Sequence, residues 1–465
     1  MPAARTWSRA LLAALTAGLL VLLPGCVQGD ARNTSPDSIK VWIEEDLPDR
    51  VAATQKIVDA FTASSGIKVQ LVAVAEDQFN QLLLSSAAAG TLPDVVGGVP
   101  LGQVRTMSSN ELIDTAATGQ VVDALGRDTF TSSALDLTRS GDAQLAVPSE
   151  AWTQLLLYRK DLFDAAGLPA PTSYAAVQKA AQTLDTPEHA GFIGASVAGD
   201  SFTEQTFEYW ALANGCQLVD DQGRVTFDSP ACVEALRSYG QLVREYGPPG
   251  AQDVDTTRAS YFAGKSAMTV WSTFILDEMA GLREDAKPSC PECVADPTFL
   301  AKNTGIVTAL QGPEGSTPTV YGEVTSWVVT AAASTSPAQR FVEYVMNEGY
   351  EPWIAIAPEG KVPVRTGTAD DREKFSKAWS TLDVGVDSRA PLSRFYSPQV
   401  VDEVATGPAK LSRWAIPQGQ GDLLGALQGE QPVAQAVNEV ANGTDPAQAA
   451  RDAADTIVSI QESLQ

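Results

Sequence analysis

The sequence predicts an α/β fold of two lobes, each a mostly parallel sheet flanked by helices, and three observations carry that expectation. Short β-rich runs alternate with helix-periodic segments over residues 39–96, the pattern of parallel strands joined by covering helices. The alternation starts again near residue 150 as a second unit. The chain has 465 residues, 44% hydrophobic and 19% charged, which suits two or three domains with cores of their own and rules out a disordered chain, a coiled coil or a collagen-like repeat.

Taken in order, Ile39-Lys40-Val41-Trp42-Ile43 is a strand, and 51–62 is a helix because Val51, Ile57, Val58 and Phe61 fall at helical spacings. Residues 67–72 form a second strand, 78–89 a second helix, and Asp94-Val95-Val96 a third, buried strand after Gly90-Thr91-Leu92-Pro93. The second unit opens with β-rich runs at 145–148 and 154–158, then a helix over 160–166 stopped by Gly167. Ser173 caps a helix over 174–184, and 202–213, 230–246 and 255–262 are helical by the same tests. Strand character returns at 264–271 and 324–330, helical character at 337–347, 433–440 and 446–462. Two lobes joined by several crossings fit this order better than two independent domains.

Residues 1–25 read as an export signal, with Arg5 and Arg9 ahead of the apolar run 10–23. Leu22-Leu23-Pro24-Gly25-Cys26 resembles the lipobox of bacterial lipoproteins, which implies a lipid on Cys26 and anchoring at the outer face of the cytoplasmic membrane; an ordinary secretory signal is the alternative. The polar stretch 26–38 suits a tether. The formal charge is −25, so a nucleic-acid partner would meet long-range repulsion. Cys216, Cys232, Cys290 and Cys293 are an even number in an exported chain, and disulfides are the default. Of three possible pairings, Cys216 with Cys232 and Cys290 with Cys293 are expected; a redox Cys-x-x-Cys or a four-thiolate zinc site are the rivals, disfavoured by Pro288, Pro291 and Pro297 around the pair and by the lack of a second close pair.

Five stretches together resemble the type 1 extracellular solute-binding proteins that deliver sugars to ABC importers. They are Gly90-Thr91-Leu92-Pro93-Asp94-Val95-Val96; Ala146-Val147-Pro148 with 157–168 and Pro171-Thr172-Ser173-Tyr174; Phe262-Ala263-Gly264-Lys265-Ser266-Ala267-Met268; Trp327-Val328-Val329-Thr330; and Gly360-Lys361-Val362-Pro363-Val364-Arg365. The resemblance implies a maltose-binding-protein-like fold of the periplasmic-binding class (type II), a ligand cleft between the lobes, a carbohydrate ligand, ABC permease subunits as partners, a monomer, and neither catalysis nor a cofactor or metal. The expected division is 39–147 with 272–322 as lobe 1 and 148–271 with 323–465 as lobe 2.

Sugar recognition needs flat aromatic faces together with carboxylates, amides and guanidinium groups for the hydroxyls. Trp152, Trp271 and Tyr321 fall at the expected crossings, each with a half-buried core role as its alternative. Glu44 and Asp46 are favoured in the acidic loop after the first strand, where the resemblance implies a hydroxyl contact. Gln78, Glu204 and Glu323 are further polar candidates, the first two equally explained by exposed helix faces. Tyr396 with Arg389 or Arg394 resembles a late stretch that reaches the cleft in relatives, and the choice of arginine stays open. Where many relatives carry an acid or aromatic after the third strand, this chain has Gly97-Gly98-Val99-Pro100, so the identity of the sugar, or a non-sugar ligand, also stays open.

The single histidine, His189, lies in a loop-like segment, and no Gly-x-Ser-x-Gly occurs, which removes a serine hydrolase and a His-rich zinc site. Gly419 to Gly425 has the wrong spacing for a dinucleotide loop, and Asp220-Asp221-Gln222-Gly223 is a tight turn too short for a calcium loop. A secreted glycoside hydrolase with two cleft carboxylates is the remaining enzyme alternative.

Overall fold

The computed structural model describes residues 37–464, so the export segment, Cys26 and most of the tether lie outside the described residues. Ten strands build one mixed sheet. They are β1 (Ser38–Glu44), β2 (Lys68–Val74), β3 (Val95–Pro100), β4 (Val147–Arg159), β5 (Met268–Ser272), β6 (Thr304–Val307), β7 (Ala309–Leu310), β8 (Thr319–Val329), β9 (Val362–Pro363) and β10 (Leu411–Ser412). Spatial order is β9-β4-β8-β3-β1-β2, with β5 and β6 on the far end of β4 and β7 and β10 on the near end of β8.

The long strands β4 and β8 are the crossings. Residues 325–329 of β8 pair with β3, while Thr319 and Val320 pair with β7. Residues 147–153 of β4 pair with β8 and Gln154–Tyr158 with β5. The register of β8 shifts on both sides at Thr325–Trp327, where a bulge bends the strand between lobes. The expected parallel character holds for β1, β2 and β3. The crossing strands pair antiparallel with their neighbours in the main path, so the sheet as a whole is mixed.

Twelve of the helices build the cores and the cleft walls: α1 (Pro48–Ser65), α2 (Glu76–Ala88), α3 (Leu101–Ser109), α4 (Thr115–Leu125), α5 (Tyr174–Leu184), α6 (Ser201–Ala213), α7 (Pro230–Tyr246), α8 (Thr335–Met346), α9 (Tyr350–Ile354), α10 (Asp422–Leu427), α11 (Pro432–Ala441) and α12 (Pro446–Ser463). Their ends follow local chemistry. Pro48 opens α1 and Gly66, at φ 74°, closes it. Ser173 and Asp445 cap α5 and α12 by accepting hydrogen bonds from Ala176 N–H and Gln448 N–H. Among the described residues no helix is long and apolar enough to cross a membrane.

Two main cores form. The first packs Val41 and Ile43 of β1 with Phe61 of α1, Val121 of α4, Phe341 of α8 and Trp353 of α9. The second packs Val177, Trp210 and Tyr239 from α5, α6 and α7 with Val437 and Ile457 of α11 and α12. The chain passes between the cores more than once: Val307, Leu310 and Tyr321 pack in the second, Trp327, Phe341, Trp353 and Val404 in the first, and Trp414 in the second again. The cause is the pairing of β8 with β3, which carries α8 and α9 over the first half of the sheet.

The disulfides are Cys216–Cys232 and Cys290–Cys293, the expected pairs. The Gly419 to Gly425 segment leads into α10, where Gly425 lets that helix lie against α3: a Cβ there would be 2.7 Å from the Thr106 nitrogen.

Candidate functional site

A cavity of ≈ 390 Å³ opens where β4 and β8 cross. Its walls come from both cores. Glu44, Glu45 and Asp46 follow β1, Glu76 follows β2, and Gly98 and Pro100 end β3, all at the carboxyl ends of the parallel strands. Gln205 of α6 and Phe274, which packs on the second core, face them. Trp353, Ile356 and Lys361 close a third side.

The crossing strands supply the floor. Glu150 and Trp152 are two apart on β4, and Glu323 and Thr325 two apart on β8, so each pair shares a face of its strand. Gly97 beside them is required by packing, because a Cβ would lie 2.2 Å from the Trp327 ring.

Each buried charge of the floor has a partner. Glu150, 1% exposed, accepts from Lys361 Nζ and Trp353 Nε1, both at 2.7 Å. The Lys361 ammonium also lies 3.9 Å from the centre of the Trp353 ring. Glu323 accepts from Leu101 N–H at 2.9 Å and Arg413 Nη1 at 2.5 Å. Arg413 Nε donates to Glu208 at 3.1 Å, and Glu208 accepts from Trp414 N–H as well. One guanidinium thus serves two buried carboxylates from different elements. Burial nevertheless pushes Glu208 up, against the lowering effect of Arg413, and burial with the neighbouring Glu208 charge pushes half-buried Glu204 up to about 7.

The first-lobe wall differs. Glu45 accepts from the Asp46 and Leu47 N–H groups and from Arg50, which also lies 3.8 Å from Glu359 and 5.7 Å from the centre of the Phe274 ring. Glu44 accepts only from Gln103 Nε2, at 2.7 Å, and its other oxygen is buried without a protein partner. Burial, with smaller repulsion from Glu76 and Glu323, pushes Glu44 up to about 8 despite the amide hydrogen bond. Among the described residues no group of three or more His, Cys, Asp or Glu side chains could hold a metal ion.

Of the residues expected from sequence, Glu44, Asp46, Trp152 and Glu323 line this cavity. Gln78 is exposed on α2, two residues from Glu76, which does line it, and Glu204 precedes the lining residue Gln205. Trp271, 6% exposed, packs on Phe202 at 4.7 Å within the core. Tyr321 is buried under Arg413 and edge-on to Trp152, so it supports the Trp152 ring from behind. Tyr396 is buried and donates to the Leu276 carbonyl. Arg389 lines a separate cavity beside α1 and donates to the Ala355 and Asp383 carbonyls, while Arg394 lies exposed 5.8 Å from the Phe395 ring centre.

Glu150, Trp353, Lys361, Phe274 and Arg50 line the cavity without having been expected. Two signals were present: the two-residue spacing from Glu150 to Trp152 on a strand, and the place of Lys361 inside the family-like stretch 360–365.

A sequence profile described as bacterial extracellular solute-binding protein matches residues 45–352. A putative ABC transporter periplasmic-binding protein, YcjN, of Escherichia coli (strain K12) is 29% identical over 362 residues, 76% of this chain and 78% of that protein. Among solved structures, the GacH receptor of Streptomyces glaucescens, studied unliganded and with acarbose, has a TM-score of 0.68 at 18% identity over 91% of this chain and 98% of its own. A solute-binding protein of Thermotoga lettingae bound to α-D-tagatose has a TM-score of 0.68 at 19% identity over 91% of this chain and 100% of its own. With the profile covering more than half of a chain folded as two lobes around a cleft, this protein belongs to the bacterial extracellular solute-binding protein family.

Proposed function

We propose that the chain is an exported, non-enzymatic receptor that captures a carbohydrate in the β4/β8 cleft, closes its lobes over it and presents the closed form to an ABC-type permease. The observation that carries this reading is the make-up of the cavity wall. The Trp152 ring lies beside carboxylates and an amide supplied from both lobes, the combination that takes the apolar face and the hydroxyls of a sugar. The sugars bound by the GacH and Thermotoga proteins and the name of a mannitol-binding protein of Pseudomonas aeruginosa, 26% identical over 48% of this chain, support the ligand class.

The mechanism is a population shift. Asp46 and Gln205 lie on opposite walls, so a ligand touching both gains those contacts together only when the lobes are closed, and it stabilises closure by that difference in affinity. In this reading the protein acts as a monomer, and lipid on Cys26 holds it at the outer face of the membrane.

A thermal-shift screen of the purified chain against mono- and disaccharides, with hits assayed for hydrolysis, tests the proposal. Ligand at 100 times its dissociation constant adds about 2.7 kcal/mol to a two-state fold. Stabilisation by an intact sugar and a smaller radius of gyration in its presence are expected. Silence across the panel refutes a sugar ligand, and turnover of a hit refutes the receptor. A Cys26→Ala protein that stays on the membrane refutes the anchor.

A further inference from the structure

We propose that the ligand of this cleft carries a positively charged nitrogen beside its hydroxyls, as an amino sugar does, and that its ammonium group lies against Glu44. The inference rests on the carbohydrate reading above and adds the charge class of the ligand.

Among the described residues, six carboxylates and two cations line the cavity. Lys361 is paired with Glu150 and lies over the face of Trp353, while Arg50 lies 3.4 Å from Glu45 and 3.8 Å from Glu359 with its Nε buried and without a protein partner. An acidic or phosphorylated sugar would therefore bring its charge into a cleft where carboxylates outnumber cations.

The carboxylates are not equivalent. Glu45, Glu150 and Glu323 each have a cationic partner, whereas Glu44 has the neutral Gln103 amide. Its second oxygen is buried, unpartnered within the protein, and belongs to a residue on the cavity wall. The charged groups around it, Glu76 and Glu323, are both acidic and repel a proton-free Glu44. A neutral hydroxyl can exchange a hydrogen bond with the protonated carboxyl, whereas a cation offsets the repulsion that an ionised Glu44 meets from Glu76 and Glu323.

Binding of a cation then displaces a proton. In the empty cleft Glu44, pushed up to about 8, is mostly protonated at pH 7. An ammonium ligand binds the ionised carboxylate, so the Glu44 proton leaves to solvent and roughly one proton is released per ligand bound. A neutral sugar that accepts from the carboxyl group releases none.

The test is calorimetric titration of the purified chain with matched probes: glucose and glucosamine, galactose and galactosamine, cellobiose and the β-1,4-linked glucosamine dimer, each in phosphate and in Tris at pH 7. In a pair that binds, the amino member is expected to bind at least tenfold more tightly and with proton release, seen as a buffer-dependent enthalpy. Glu44→Gln is expected to weaken the amino member at least tenfold and to abolish the release; if that variant does not fold, proton release by the unaltered protein decides. Equal or tighter binding of the neutral member, tight amino-sugar binding without proton release, or a preference kept in Glu44→Gln overturns the proposal. Neutral sugars binding while no amino sugar does overturns it and leaves the carbohydrate receptor standing. Silence from both kinds overturns both.

Discussion

Arg413→Met is the most informative perturbation of this fold. The guanidinium is buried and joins Glu208 of α6 to Glu323 of β8, both buried themselves. Methionine keeps most of the side-chain volume and removes the charge, leaving two carboxylates without their cation. Breaking a buried ion pair by removing one partner costs about 3–5 kcal/mol, and here one cation serves two acids, so the upper end is expected. The cost should depend on pH in one direction. Glu208 is already raised by burial with Arg413 pulling it down, so losing Arg413 raises it further. A carboxyl raised above its unfolded value keeps its proton in the folded state, so the variant recovers stability as pH falls and loses it as pH rises. Urea denaturation of both proteins between pH 5.5 and 8 measures this. A deficit under 1 kcal/mol at pH 7.5, or one that does not shrink toward pH 5.5, would refute the ion-pair account. Adding Glu208→Gln and Glu323→Gln should recover much of the loss, because no buried charge then remains unpaired.

Trp152→Ala should weaken the sugar identified by screening about 5- to 150-fold, the range of about 1–3 kcal/mol for a lost stacking face, while Trp271→Ala, which unpacks Phe202, should cost stability and leave affinity within about threefold; titration calorimetry of both variants separates the two. Gly97→Ala puts a Cβ 2.2 Å from the Trp327 ring and should cost at least about 1–3 kcal/mol by overpacking, so an unchanged melting temperature contradicts that contact. Replacing Cys216 and Cys232 by Ala opens a loop of sequence separation 16 and should cost about 3 kcal/mol, read from the urea midpoint under non-reducing conditions. Glu359 and Glu44 are both pushed up to about 8 mainly by burial, so the folded protein retains protons that the unfolded chain releases; stability should fall as pH rises from about 5 to 8, and a profile that rises there is incompatible with those burials.

Local elements were largely legible. The α5 and α7 spans agree with the expected 174–184 and 230–246 because Ser173 and Pro230 mark their starts and apolar spacing marks their length. The wall of the candidate cavity was legible where sequence position and strand end coincide, as at Glu44 and Asp46 after β1. It was only partly legible for aromatic residues. Trp152 and Trp271 have the same composition signal, yet one borders the cavity and the other packs on Phe202, because the face on which a ring falls depends on which strand covers it. Trp353 and Lys361 were missed because they reach the cleft only through the return of the chain over the first half of the sheet.

By itself the sequence determined the α/β alternation, the helix ends, the even set of cysteines and the family resemblance, since all of these depend on periodicity, caps and short stretches of neighbouring residues. The tertiary structure alone decided which charges meet. Lys361 neutralises Glu150 across 211 residues and Arg413 neutralises Glu323 across 90, while Glu44 is left with an amide. Coulombic pairing and desolvation act through space over a few ångströms, so the charge of the cleft, and with it the kind of ligand it admits, exists only once the chain has folded.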